Sequence, residues 1–89
     1  MNRIPLEKGR VARSMAGRDE GRLLVVLEEV DDDFVFTADG DLRTLERPKK
    51  KRRKHLKGTP TMMDTSAKWP PENHELRKFL LAIAPHEEG

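Results

Sequence analysis

Arg22-Leu23-Leu24-Val25-Val26-Leu27-Glu28-Glu29-Val30 is the stretch that decides how this chain folds. The run is short, rich in β-branched residues and preceded by Gly21, which favours a strand over a helix. Its centre is apolar at consecutive positions, so both faces of the strand need cover. Such a strand belongs in the middle of a sheet.

Working outward, Asp31-Asp32-Asp33 reads as a turn into a second strand, Phe34-Val35-Phe36-Thr37-Ala38. Asp39-Gly40 is the dipeptide of tight hairpins, because both central turn positions take positive φ. Leu42-Arg43-Thr44-Leu45-Glu46 is expected to close that hairpin. Upstream, Gly9-Arg10-Val11-Ala12-Arg13-Ser14-Met15 alternates loosely and reads as a strand, although Arg13 interrupts its apolar face. Ala16-Gly17-Arg18-Asp19-Glu20-Gly21 is polar and contains two glycines, the pattern of a loop. Four strands with three short connections make a meander that can curl into a small barrel.

Downstream, Arg47-Pro48 is expected to end the pairing, since proline cannot donate to a ladder. Residues 49–54 are six consecutive cations, extended by His55, Leu56 and Lys57, with Leu56 able to return as part of a fifth strand. Close packing of like charge is self-repulsive, so this arm is expected to be disordered when free and ordered by its partner. A linker follows, and then Trp69, which either anchors it in a hydrophobic groove or stacks on a base, the first being the commoner use. Asn73 is placed to cap a helix that Pro85 stops, with Leu76, Phe79, Leu80 and Ile83 on one face. A helix of about twelve residues is marginal alone, so this face either docks on the barrel as extra core or binds a partner protein. The expected organisation is an N-terminal segment (1–8), a barrel with a basic exit arm (9–57, arm 47–57), a linker (58–72) and a helix (73–84).

The 89 residues allow one domain. With 35% hydrophobic and 38% charged residues, only part of the chain can supply a core. There is no cysteine, so disulfides, thiolate metal sites and thiol nucleophiles are excluded. Residues 1–8 contain no apolar run of the signal-peptide kind, and no apolar run, residues 23–27 included, approaches the roughly twenty a membrane helix needs. A soluble, cytoplasmic protein is expected.

The net charge of +2 hides a segregation. Residues 1–46 carry 7 basic and 11 acidic side chains, whereas residues 47–58 carry 8 basic and no acidic ones. A block of this kind points to a polyanionic partner. Sequence-independent nucleic-acid affinity comes chiefly from phosphate neutralisation, and Arg47, Lys49, Lys50, Lys51, Arg52, Arg53, Lys54 and Lys57 are the candidates for it. The second candidate is the loop, where Gly17 and Gly21 let the backbone approach a phosphate. Arg18 stands at its tip, and Arg10, Arg13 and Arg22 lie on the adjoining strands. Asp39 and Asp41 read as turn residues, as does the triple aspartate at 31–33. His55, His74 and His86 are scattered without metal-ligand spacing or a nucleophile to serve. No enzyme activity, metal or cofactor is expected.

The stretch from Gly9 to Val26, a strand, a polar loop and a second strand joined around Gly21, resembles a KOW motif. The hairpin and basic exit at residues 38–51 tighten the likeness to the small bacterial KOW-domain RNA-binding proteins, which are similar to archaeal and eukaryotic large-subunit ribosomal proteins. The resemblance spans residues 9–57 and implies an SH3-like barrel, contact with RNA or the ribosome, and no catalysis. Residues 31–33 and 59–89 depart from it. The expected fold is therefore mainly β, a small SH3-like barrel with a short C-terminal helix. The expected partner is RNA, with ribosomal RNA first, recognised through its phosphate backbone and shape. The rival is a protein-interaction module of the translation or transcription apparatus, using barrel and arm to grip an acidic protein.

Overall fold

A computed structural model describes residues 4–66 and 68–86. Residues 1–3 of the N-terminal segment, Ala67 of the expected linker, the side chain of His86 and the residues after it lie outside that description. Strand β1 (Arg10–Ser14) is followed by β2 (Leu23–Glu29), β3 (Phe34–Ala38), β4 (Lys49–Arg52) and β5 (Leu56–Met62). Helix α1 spans Asn73–Ile83, and single 3-10 turns cover Arg53–His55 and Ala84–His86. The fold is mainly β, as expected.

All five strands form one antiparallel sheet in the order β4-β3-β2-β1-β5. Strand β2 is at its centre, where a strand apolar on both faces belongs. The 3-10 turn between β4 and β5 carries the chain from one edge of the sheet to the other. The turn is bonded at both ends, Arg53 N–H donating to the Asp33 carbonyl beside β3 at 2.8 Å and Met15 N–H after β1 donating to the His55 carbonyl at 2.8 Å. The result is a small, barrel-like β fold.

Two cores flank the sheet. Inside the curl lie Leu6, Ala12, Leu24, Val26, Val35 and Leu56. On the outer face Val11, Val25 and Ala38 meet Leu76 and Leu80 of α1, with Phe79, Ile83 and Trp69 packed against them. Alternation along β1 and β2 thus assigns Val11 and Val25 to one core and Ala12, Leu24 and Val26 to the other. The apolar face of α1 docks on the barrel, and the Trp69 indole N–H donates to the Leu27 carbonyl at 3.1 Å, anchoring the segment that leads to it. Among the described residues no helix is long and apolar enough to cross a membrane.

Four local expectations are corrected. Residues 42–46 are not a strand, and β3 pairs instead with β4, through Phe34↔Arg52, Val35↔Lys51, Phe36↔Lys50 and Thr37↔Lys49. Side chains take the backbone donors a ladder would have used. Asp39 Oδ1 accepts from the N–H groups of Asp41 and Arg43, each at 2.9 Å, and Asn73 Oδ1 accepts from that of Leu45 at 2.8 Å. Asp39-Gly40 does turn the chain, but within a wider loop closed by Asp39 N–H on the Arg43 carbonyl at 2.8 Å.

The basic stretch is not a disordered arm: residues 49–52 form β4, so Pro48 precedes a strand rather than ending the pairing. The expected linker is likewise strand as far as Met62. Thr59 Oγ1 donates to the Val11 carbonyl at 2.8 Å there, a contact that composition does not announce.

Helix α1 is capped by Glu72, not Asn73. Glu72 and Glu75 form a reciprocal capping box, leaving Asn73 to bind Leu45 and to donate to Glu46 Oε1 at 2.7 Å. Gly40 fits beneath this junction with φ +79°, where a β-carbon would collide with the Asn73 carbonyl.

Candidate nucleic-acid interface

Strand β4 lies at the edge of the sheet and divides its cations between two faces. Lys50 and Arg52 share the face of Phe34 and Phe36, their partners in register. Lys50 Nζ stands 4.8 Å and Arg52 Cζ 5.1 Å from the centroid of the Phe34 ring, each a cation–π contact. Lys49 and Lys51 point the other way. Lys49 is exposed, but Lys51 is buried.

Lys51 owes its burial to the loop between β1 and β2. Its ammonium donates to Asp19 Oδ1 at 2.6 Å and to the Ala16 carbonyl at 2.9 Å, while the Ser14 hydroxyl donates to the same carboxylate oxygen at 2.7 Å. Asp19 Oδ2 lies 4.0 Å from Arg43 Nε. Burial pushes the Asp19 carboxyl up, but the bonds from Lys51 and Ser14 and the charge of Lys51 outweigh it, and the group titrates below the ordinary 3.8. The loop is thereby pinned to β4. Arg18, next to Asp19 and exposed, sits on that pinned loop.

The fourteen residues singled out from the sequence separate by their partners. Arg18, Arg47, Lys49, Lys54 and Lys57 are exposed, and their side chains make no hydrogen bond or ion pair among the described residues. Lys50 and Arg52 are exposed over Phe34. Others are held internally. Arg10 pairs with Glu7 at 2.8 Å and bonds the Pro5 and Thr59 carbonyls. Arg13 donates to the Gly21 carbonyl at 2.8 Å, Arg22 pairs with Asp39 at 3.1 Å and Asp41 at 3.2 Å, and Arg53 pairs with Glu29 at 3.0 Å. Gly17 and Gly21 take φ of +87° and +88°, as the turn of the loop requires.

The acidic residues at 31–33 form the β2–β3 turn, where Asp31 Oδ1 accepts from the N–H groups of Asp33 at 2.9 Å and Phe34 at 2.8 Å. These backbone bonds hold the Asp31 carboxyl below its ordinary value. Asp32 and Asp33 line an open groove of about 620 Å³ together with Arg52, Lys54, Lys57, Leu6 and Leu56. The exposed cluster of Glu72, His74 and Glu75 has its carboxylates engaged in the helix cap.

Sequence reasoning missed Asp19, Ser14 and the two phenylalanines. A lone acid in a polar loop gives no signal of burial. Phe34 and Phe36 did carry one, aromatic residues two apart on a strand, but their nearness to the cations depends on which strand pairs with β3. No family model matches this sequence, and no curated protein matches it.

Proposed function

We propose that this chain binds RNA, in the way its likeness to KOW-domain proteins implies, with ribosomal RNA as the first candidate and the cytoplasm as the setting. The role is one of binding, not catalysis. A single observation carries the reading: the pairing of Asp19 with Lys51 holds the Arg18 loop against a β4 edge from which Lys49, Lys50 and Arg52 project. With Arg47, Lys54 and Lys57, these form a rim of exposed cations along β4 and the turn into β5. Phosphates are neutralised by such a rim with counterion release, and contacts of this kind orient a protein without reading sequence. Recognition therefore rests on the shape of the RNA.

The groups held internally define the complementary expectation. Lys51 and Arg10 contribute to the fold and little to affinity. The test is co-sedimentation of the tagged chain from a cell lysate, with and without ribonuclease, beside a variant in which Lys49, Lys50, Arg52 and Lys54 are glutamine. Loss of the complex on nuclease treatment and in the variant supports RNA. A complex that survives nuclease and fails only in the variant assigns the rim to an acidic protein partner instead.

A further inference from the structure

Phosphate contacts account for cations, but not for what lies beneath two of them. Phe34 and Phe36 are only partly buried on the outer face of β3, in register with Arg52 and Lys50 of the edge strand. The Phe34 ring holds both cationic heads within about a ring's breadth of its centroid, at 4.8 and 5.1 Å. The same outer face is covered by α1 further along β3, where Ala38 belongs to the helix-packed core. A rigid strand thus presents two aromatic side chains two residues apart, about 6.6 Å along its axis, beside two cations.

We infer that this β3–β4 face binds unpaired nucleotides of the RNA, Lys50 and Arg52 swinging from the Phe34 ring onto phosphates as bases come against Phe34 and Phe36. The inference rests on the RNA reading above and narrows its ligand from RNA in general to single-stranded segments such as loops and bulges. Three considerations support this occupant. Every base has a π-face, so aromatic side chains beside cations accept single strands without regard to sequence. A duplex hides those faces in its own stack and offers only its backbone to a protein edge. The charge is also complementary, for Lys50 and Arg52 are exposed over the ring, and Lys50 acts on the Asp31 carboxylate only through space, without an ion pair. Glu28 stands opposite Phe36 in β2 and is an acid that opposes binding at this face.

Fluorescence anisotropy of the full chain with an unstructured single-stranded RNA and with a blunt RNA duplex of equal charge, at low ionic strength, tests this. Phe34→Leu should weaken single-strand binding about five- to hundredfold, the usual effect of removing one stacked base, while duplex binding is unchanged. Phe34→Trp should restore it, and Glu28→Gln should tighten it. Circular dichroism of each variant reports the fold, and Phe34→Trp, which keeps an aromatic ring, carries the test if Phe34→Leu does not fold. A folded Phe34→Leu that binds the single strand as the unaltered chain does overturns the inference and leaves backbone binding standing. So does a folded Phe34→Trp that loses single-strand binding. Failure of the unaltered chain to bind either RNA overturns both.

Discussion

Lys51 Nζ lies 2.6 Å from Asp19 Oδ1, and both side chains are almost wholly buried, at 7% and 2% exposure. The most basic segment of the chain thus spends one of its central charges inside the protein. Removing one member of such a pair leaves the other charged, desolvated and unmatched, at a cost of about 3–5 kcal/mol. Lys51→Met should therefore destabilise the fold by about that amount in urea denaturation. The double variant Asp19→Asn, Lys51→Met should lose much less than the two single variants together, because they share one interaction.

Acid should act through the same carboxylate. The folded Asp19 titrates below its ordinary 3.8, so the unfolded chain binds the proton more readily. Its contribution is complete above about 3.8 and is lost as pH falls through the lower folded value. Asp31, held by the N–H groups of Asp33 and Phe34, shifts in the same direction. Denaturation midpoints between pH 5 and 2 should fall for the unaltered chain and fall less steeply for Asp19→Asn.

The docked helix belongs to the folding unit. Leu76 is fully buried between α1 and the sheet, and Leu76→Ala should cost about 2–5 kcal/mol. Leu81, on the same helix and 73% exposed, should tolerate replacement by alanine. Trp69→Phe keeps an aromatic ring and removes the hydrogen bond to the Leu27 carbonyl, worth about 1 kcal/mol. A single unfolding transition, seen alike by far-ultraviolet dichroism and by Trp69 fluorescence, should accompany the unaltered chain.

Gly40→Ala should destabilise by more than about 1 kcal/mol, since a left-handed residue with a β-carbon is strained and that carbon meets the Asn73 carbonyl. Thermal unfolding of this variant beside Gly21→Ala separates the two causes. Gly21 has φ +88° with no atom within 4 Å of an added β-carbon, so it suffers the backbone strain alone.

Much of the sheet is legible in the residues themselves. The apolar centre of β2 foretells a strand covered on both faces, and the spacing of Leu76, Phe79, Leu80 and Ile83 foretells a one-faced helix, though not that its face docks on the barrel. The partner of β3 is not legible, because a run of cations looks like a solvated arm until its counter-charges are located. Asp19 lies 32 residues from Lys51 and Glu29 lies 24 from Arg53, separations over which no local pattern operates. The same blindness affects the candidate interface. Charge density identifies the segment, but only the pairing of β3 with β4 separates Lys51, turned inward, from Lys50 and Arg52, turned outward beside Phe34.

The salt dependence of RNA affinity tests the central claim most directly. The unaltered chain should bind a structured RNA at low ionic strength, with log affinity falling linearly against log salt. Replacing Lys49, Lys50, Arg52 and Lys54 by glutamine, with Lys51 kept, should reduce that slope by about three units, at roughly 0.7–0.9 for each phosphate no longer neutralised. An unchanged slope in the folded variant, or no RNA binding by the unaltered chain at low salt, would contradict the account.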